Sequence, residues 1–241
     1  MTSTDVVVVT GAARGQGAAH AARLAHVGTR VILTDVADEV GERTAAVLRA
    51  SGADAAYRHL DVADETSWAE LAEELRVAGI PVRALVNNAG ILRHSVLADT
   101  SVADWDLQQQ VNARGAFLGI RALAPLIAAR GGAIVNVAST AALVGSPGYA
   151  AYAASKAAVI ALTRVAAVEL APHVRVNVIC PGGVSTAMND DEPAGGTSST
   201  APLGRRAHAE EISPLIDYLT STDSSFVTGS VFTIDGGLTA A

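Results

Sequence analysis

Hydrophobic positions along this chain gather in two alternating kinds of segment. Short runs dominated by β-branched residues stand at Val6–Val9, Val31–Leu33, Val82–Val86, Ala133–Val137, Val174–Ile179 and Val231–Ile234. Each is too short for a typical helix and lacks apolar–polar alternation, which is how a strand buried on both faces reads. Between them lie Ala-, Leu- and Glu-rich stretches of helical length at Gln16–Val27, Glu39–Ala50, Glu65–Ala78 and Tyr149–Ala171. This alternation predicts a parallel sheet covered on both faces. Right-handed crossovers make it a doubly wound (Rossmann) α/β sheet, a single domain over residues 1–241. No internal repeat interrupts the pattern. One stretch differs in composition: Ser185–Gly204 is polar, rich in Gly, Ser and Thr, and contains Asp190-Asp191-Glu192. Too little chain follows it for a second domain, so a mobile loop beside a site is expected there.

Composition narrows the class. Half of the residues are hydrophobic and 17% are charged, below the roughly 25% of an average globular protein. That excludes a disordered chain, which needs low hydrophobicity and high charge. A net charge of −7 argues against a surface that coats nucleic acid, because neutralising phosphates takes clustered Lys and Arg. The single cysteine can form no internal disulfide, which suits a reducing compartment. Met1–Asp5 is short and acidic for a signal peptide, and no apolar run reaches the roughly 18 residues of a membrane span. The expectation is a cytoplasmic protein with neither nucleic acid nor membrane as partner.

Thr10-Gly11-Ala12-Ala13-Arg14-Gly15-Gln16-Gly17 joins the first strand to the first helix. Its glycines permit a tight turn, close approach of backbone to a pyrophosphate, and close packing of the helix. The helix start then offers unpaired N–H groups and the positive end of a dipole to phosphates. An ordinary turn is the alternative, but the position between strand and helix favours dinucleotide binding by Gly11, Arg14, Gly15, Gln16 and Gly17. Asp35 closes the second strand, where an acidic side chain can accept from the adenosine ribose. A carboxylate there repels a 2′-phosphate, which favours NAD over NADP. A solvated strand-end aspartate is the bland alternative, and Arg14 is the counter-indication.

Further along stand Asn87-Asn88-Ala89-Gly90, then Asn112, Ser139, Tyr152-Ala153-Ala154-Ser155-Lys156, and Pro181-Gly182. With the first turn, in this order and spacing, they resemble the short-chain dehydrogenases/reductases from Val6 to Asp235-Gly236-Gly237. The resemblance implies a nicotinamide dinucleotide and a catalytic set of Asn112, Ser139, Tyr152 and Lys156. Ser139 would hydrogen-bond the substrate oxygen, and Asn112 would hold a water on the lysine. Asn88, Ala89 and Gly90 would shape the cofactor cleft, with Asn88 structural. Asp61-Val62, after a third strand, would meet the adenine, and Val184 and Thr186, beyond Pro181 and Gly182, the nicotinamide carboxamide.

The residue types support that chemistry. Tyr152 and Lys156 are one helical turn apart and share a face. A free tyrosine has a pKa of about 10, too high for a base at neutral pH. The ammonium and an oxidised nicotinamide are expected to lower it by about 3 units, about 4 kcal/mol of differential stabilisation. Tyr152 then exchanges a proton with the substrate oxygen as hydride moves.

Two departures from the family pattern stand out. Gln16 replaces an aliphatic residue, so the first helix is expected to pack differently there. Pro214 falls inside the helix that follows Pro202-Leu203-Gly204-Arg205, where it removes an N–H and is expected to kink it. His20, His26, His59, His94, His173 and His208 show no metal-ligand spacing with Cys180 and read as surface or loop residues. Cys180 reads as a small buried hydrophobe, and Trp68 and Trp105 as packing residues.

The reading is an NAD-dependent oxidoreductase acting on a secondary alcohol or its ketone. A 3-oxoacyl thioester reductase, mostly NADP-using, is the rival within enzymes, since Pro202–Arg205 resembles that group. A catalytically silent dinucleotide sensor is the rival outside them, opposed by the presence of Ser139, Tyr152 and Lys156. Ala141, Leu143, Val144, Tyr149, Val184 and Met188 are expected around the substrate, with Arg205 and Arg206 the nearest bases. An uncharged small molecule therefore fits, and Thr186-Ala187-Met188 with Asp35 resembles hydroxysteroid and related secondary alcohol dehydrogenases, which implies a cyclic or steroid-like one. Apolar residues in excess over Asp104–Ala129 and Tyr149–Ala171 predict self-association, and the resemblance, since similar enzymes pair these helices between subunits, implies a homotetramer.

Overall fold

The computed structural model describes residues 5–189 and 201–240. Seven strands form one wholly parallel sheet: β1 (Val6–Thr10), β2 (Arg30–Asp35), β3 (Ala55–His59), β4 (Val82–Asn87), β5 (Gly132–Val137), β6 (Val174–Pro181) and β7 (Val231–Ile234). Their spatial order is β3-β2-β1-β4-β5-β6-β7. The doubly wound sheet is as the alternating runs predicted, with one strand more than the apolar runs alone reveal. β3 reads Ala-Ala-Tyr-Arg-His and pairs with β2 alone. An edge strand half open to solvent needs no continuous apolar run, so the pattern does not show it.

Alternate residues of each central strand enter opposite layers. Val7 and Val9 pack with α1 (Gly15–His26), α2 (Asp38–Ala50) and α7 (Ala209–Thr220). Val6 and Val8 pack with α3 (Glu65–Val77), α5 (Gly115–Ala128) and α6 (Ala150–Glu169). Both sets are fully buried, which is why β1 shows no alternation in its sequence. The short α4 (Val102–Gln108) runs into a π-helical segment, Gln109–Arg114, and from there into α5.

The structure corrects several expectations. By length and composition α6 is apolar enough to cross a membrane, because its many alanines count as apolar. It instead buries Ala151, Val159, Ile160, Ala166 and Ala167 in the core, and its Ser155, Lys156 and Thr163 are buried too. α7 runs through Pro214, with Glu211 closing a capping box on His208. Trp68 is buried, its indole N–H donating to the Val62 carbonyl, but Trp105 is 40% exposed. His20 is no surface residue: it is wholly buried, with Nδ1 2.9 Å from Ser213 Oγ on α7. Burial pushes its pKa down to about 4, so the ring is neutral at physiological pH. Of the loop expected at 185–204, residues 190–200 lie outside the described residues. The flanking chain is tied down: Ser185 N–H donates to the Ala207 carbonyl, and Leu203 N–H to that of Gly236.

Candidate active site

A cleft of about 770 Å³ crosses the C-terminal ends of the strands. It lies where strand order reverses between β1 and β4, the usual ligand position in such sheets. The first turn forms one wall. Gly11 and Gly15 adopt φ of +62° and +59°, conformations that L side chains rarely adopt. A Cβ on Gly11 would lie 2.7 Å from Ala89 Cα. Arg14, the residue preceding α1, makes no side-chain cap, so the helix's first N–H groups point at the cleft without that competitor. Gln16 lines the cleft, its Oε1 buried and unpartnered among the described residues. Gly17 does not line it. Its Cα packs under the turn, where a Cβ would meet Gly11 O at 2.2 Å.

Asp35 ends β2 with both carboxylate oxygens anchored, one accepting from Ala13 N–H (3.1 Å) and one from Ala37 N–H (3.0 Å). Asp61 accepts from Ala63 N–H in the same manner, and Val62 sits beside it. Asn88 proves structural as well as cleft-lining. Its Nδ2 donates to the Thr10 carbonyl (2.9 Å), and Thr10 Oγ1 accepts from the Asn88 and Ala89 N–H groups. β4 is thereby stitched to the first turn. Ala89, Gly90, Pro181, Gly182, Val184 and Thr186 complete this wall.

On the other side of the cleft stand Ser139, Tyr152 and Lys156. Ser139 ends the chain leaving β5, and its Oγ accepts from Ala141 N–H at 3.2 Å while also hydrogen-bonding Tyr152. Lys156 is 3% exposed and its Nζ donates to the Val137 carbonyl at 2.8 Å. The ammonium lies 5.7 Å from the centre of the Tyr152 ring. Burial pushes the phenol up to about 12, opposed in part by the Ser139 hydrogen bond. Burial likewise brings Lys156 down to about 8. The lowered tyrosine expected from the sequence is therefore not what the protein's own groups produce, because desolvation outweighs the distant ammonium.

Asn112 is buried, and its side chain makes no direct hydrogen bond to Lys156 among the described residues. Its Oδ1 accepts from Ile91 N–H (2.8 Å), and Nδ2 donates to the Ile91 carbonyl (3.0 Å) and Ser155 Oγ (2.9 Å). It sits in the π-helical segment, so its main-chain geometry differs from that of an ordinary helix. Below, Asn87 Nδ2 donates to Asn136 Oδ1 (2.8 Å) and Asn136 Nδ2 donates to Thr163 Oγ1 (2.9 Å), a buried polar chain linking β4, β5 and α6.

Sequence reasoning missed three features. Cys180 is the buried residue expected, yet it lies close to Ser139 and Lys156: the Ser139 N–H and the Lys156 charge both act on its thiol, which burial raises to about 11. His94 packs edge-on against Tyr149. Arg93 lines the cleft, so a base stands on the wall far nearer than Arg205, which is paired with Glu211. That corrects the uncharged pocket. Ala141, Tyr149, Val184 and Met188 line the cleft as expected, whereas Leu143 and Val144 are not among its walls.

Residues 11–239 match the family described as enoyl-(acyl carrier protein) reductase. The chain is 43% identical to the cyclopentanol dehydrogenase of Comamonas sp., over 98% of this chain and 97% of that protein. It is 40% identical to trans-4-hydroxycyclohexanecarboxylate dehydrogenase of Sinomonas cyclohexanicum (98% and 93% covered). With the 3-alpha-(or 20-beta)-hydroxysteroid dehydrogenase of Mycobacterium tuberculosis it shares 42% (98% and 89% covered). Its fold is similar to that of a gluconate 5-dehydrogenase from Burkholderia cenocepacia, solved in complex with NADP and tartrate. The TM-score is 0.94 at 31% identity, covering 98% of this chain and 96% of that one.

Proposed function

The chain belongs to the short-chain dehydrogenase/reductase family, and from that premise we propose that it interconverts a ring-borne secondary alcohol and its ketone using NAD(H). One observation carries the reading: Ser139, Tyr152 and Lys156 converge on one end of a cleft whose other end is the glycine turn with Asp35. The ring is supported by three relatives named for cyclopentanol, a hydroxycyclohexane and hydroxysteroids.

The residues present fit a dinucleotide. At Gly15 a Cβ would meet nothing nearer than Thr186 at 3.6 Å, and Gly15 and Gln16 at the start of α1 line the cleft, where a phosphate can approach the backbone. When bound, the nicotinamide supplies the hydride donor or acceptor. The chain's own residues do the rest. Gly11, Gly15 and the start of α1 bind phosphate, and Asp35 and Asp61 flank the adenosine end. Tyr152 gives its proton to the carbonyl oxygen in reduction and takes it back in oxidation. Ser139 donates to the same oxygen and keeps the phenol aimed. Lys156, ammonium at neutral pH, stabilises the phenolate as it forms.

Asp35 supports NAD, since its carboxylate is fixed at the cleft edge by two backbone donors and cannot easily turn from a 2′-phosphate. The expected result is kcat/KM at least about tenfold higher with NAD than NADP, and a narrower gap in Asp35→Ser. Initial rates with both cofactors check this; a preference for NADP by the unaltered protein would favour the thioester-reductase alternative.

Self-association is part of the same proposal. Trp105, Phe117, Val165 and Val168 expose apolar surface on α4, α5 and α6. We expect a homotetramer, and light scattering at micromolar concentration should show a mass well above the 24.4 kDa protomer. A monomer at that concentration would contradict it.

A further inference from the structure

One cation on the cleft wall has no use in the alcohol–ketone chemistry. Arg93 belongs to the segment that leaves β4, and that segment is pinned at three alternate residues. Asn112 brackets the N–H and carbonyl of Ile91. Gln108, wholly buried, does the same to Arg93, accepting from its N–H at 3.1 Å and donating to its carbonyl at 3.4 Å. Ser95 pairs with Tyr149, whose ring centre lies 6.1 Å from that of Tyr152. The backbone of Arg93 is thus fixed on the cleft wall by the buried Gln108 amide.

Its side chain is not similarly engaged. Among the described residues the guanidinium has no hydrogen-bond or ion-pair partner, whereas Arg205 and Arg58 are paired with glutamates. The acidic residues on the described cleft wall are Asp35 and Asp61, at the ends of β2 and β3 on the opposite wing of the sheet. Arg93 is itself exposed, so on the cleft wall its planar fork of donors meets no carboxylate among the described residues.

We propose that Arg93 reads a carboxylate on the substrate, so that the preferred substrate is a ring alcohol or ketone bearing a carboxylate away from the reacting carbon. A guanidinium takes a carboxylate through two parallel hydrogen bonds, fixing orientation as well as charge. The inference rests on the proposed alcohol–ketone reading of the same site and narrows its substrate class.

The test compares 4-oxocyclohexanecarboxylate with its methyl ester, the same ring without the charge, at saturating reduced cofactor. The acid should be preferred in kcat/KM, and Arg93→Gln should lower the acid-to-ester ratio by about tenfold, the scale of a partly solvated charge-assisted pair. Most of that change should fall in KM, because the carboxylate is remote from the reacting carbon. Arg93→Lys should retain part of the preference. A preference for the ester, or a ratio that Arg93→Gln leaves unchanged, overturns the inference. If neither ketone turns over, the ring-ketone reading fails, and calorimetric titration of cyclohexanecarboxylate into the cofactor-loaded protein still decides this one. Binding that Arg93→Gln abolishes sustains it; no binding to the unaltered protein overturns it.

Discussion

Tyr152→Phe is expected to lower kcat by about 10³-fold while changing the dissociation constant of the reduced cofactor by no more than a few fold. Positioned proton transfer is worth roughly 10²–10⁴-fold, and the substitution removes only the hydroxyl that performs it. Ser139 and Lys156 keep their backbone anchors on Ala141 and Val137, so the pocket and the ribose end of the cleft survive. The pH dependence should have opposite signs in the two directions. Burial holds the phenol near 12 in the protein alone, so the protonated form that reduction needs predominates at neutral pH. Oxidation needs the phenolate, whose fraction grows with pH, so alcohol oxidation should accelerate from pH 7 to 10, while ketone reduction declines at the alkaline end because Lys156, held near 8, loses the charge that stabilises the phenolate as it forms. Steady-state rates in both directions, with cofactor binding followed by fluorescence, check the two halves. Substantial activity in Tyr152→Phe would remove Tyr152 from the proton-transfer role.

The legible and illegible parts of this protein differ for physical reasons. Five strands announce themselves because both faces are buried and each face demands β-branched residues, and β7, though only half-buried, by its short apolar run; β3 does not, because Arg58 and His59 reach solvent at the sheet edge. The cofactor turn is legible because the conformations of Gly11 and Gly15 exclude side chains, and the Tyr152–Lys156 pair because helical spacing puts both on one face. What the sequence hides is which neighbours complete each environment. His20 looks like any helix histidine until Ser213, distant in sequence, is seen to close over it. Arg93 lies in what reads as a loop, and only the distant Gln108 shows that its backbone is held. The sign of the Tyr152 shift is hidden for the same reason, since desolvation is set by the whole fold rather than by the residue four positions on.

Gly17→Ala should destabilise the protein by about 2–4 kcal/mol, lowering Tm by about 5–15 °C, and should weaken dinucleotide binding at least about tenfold. On helix propensity alone the change would gain up to about 1 kcal/mol. The packing term wins because every neighbour is fixed. The new Cβ would stand 2.2 Å from Gly11 O and 2.6 Å from Asn88 Nδ2. Gly11 cannot retreat, for the space behind it is filled by Ala89 at 2.7 Å from its own Cβ position, and its φ of +62° leaves few alternatives. Asn88 cannot swing away without releasing the carbonyls of Thr10 and Gly11. Relief must come from lifting α1 off the turn, which displaces the N–H groups that face the cleft, so stability and cofactor affinity fall together. Gly145→Ala is the control: nothing lies within 4 Å of its Cβ position, and a change within about 0.5 kcal/mol is expected. Thermal melts with and without NAD, and calorimetric titration of each variant, read both effects. A Gly17→Ala protein that melts and binds like the unaltered one would mean that the turn is not the tight cradle described.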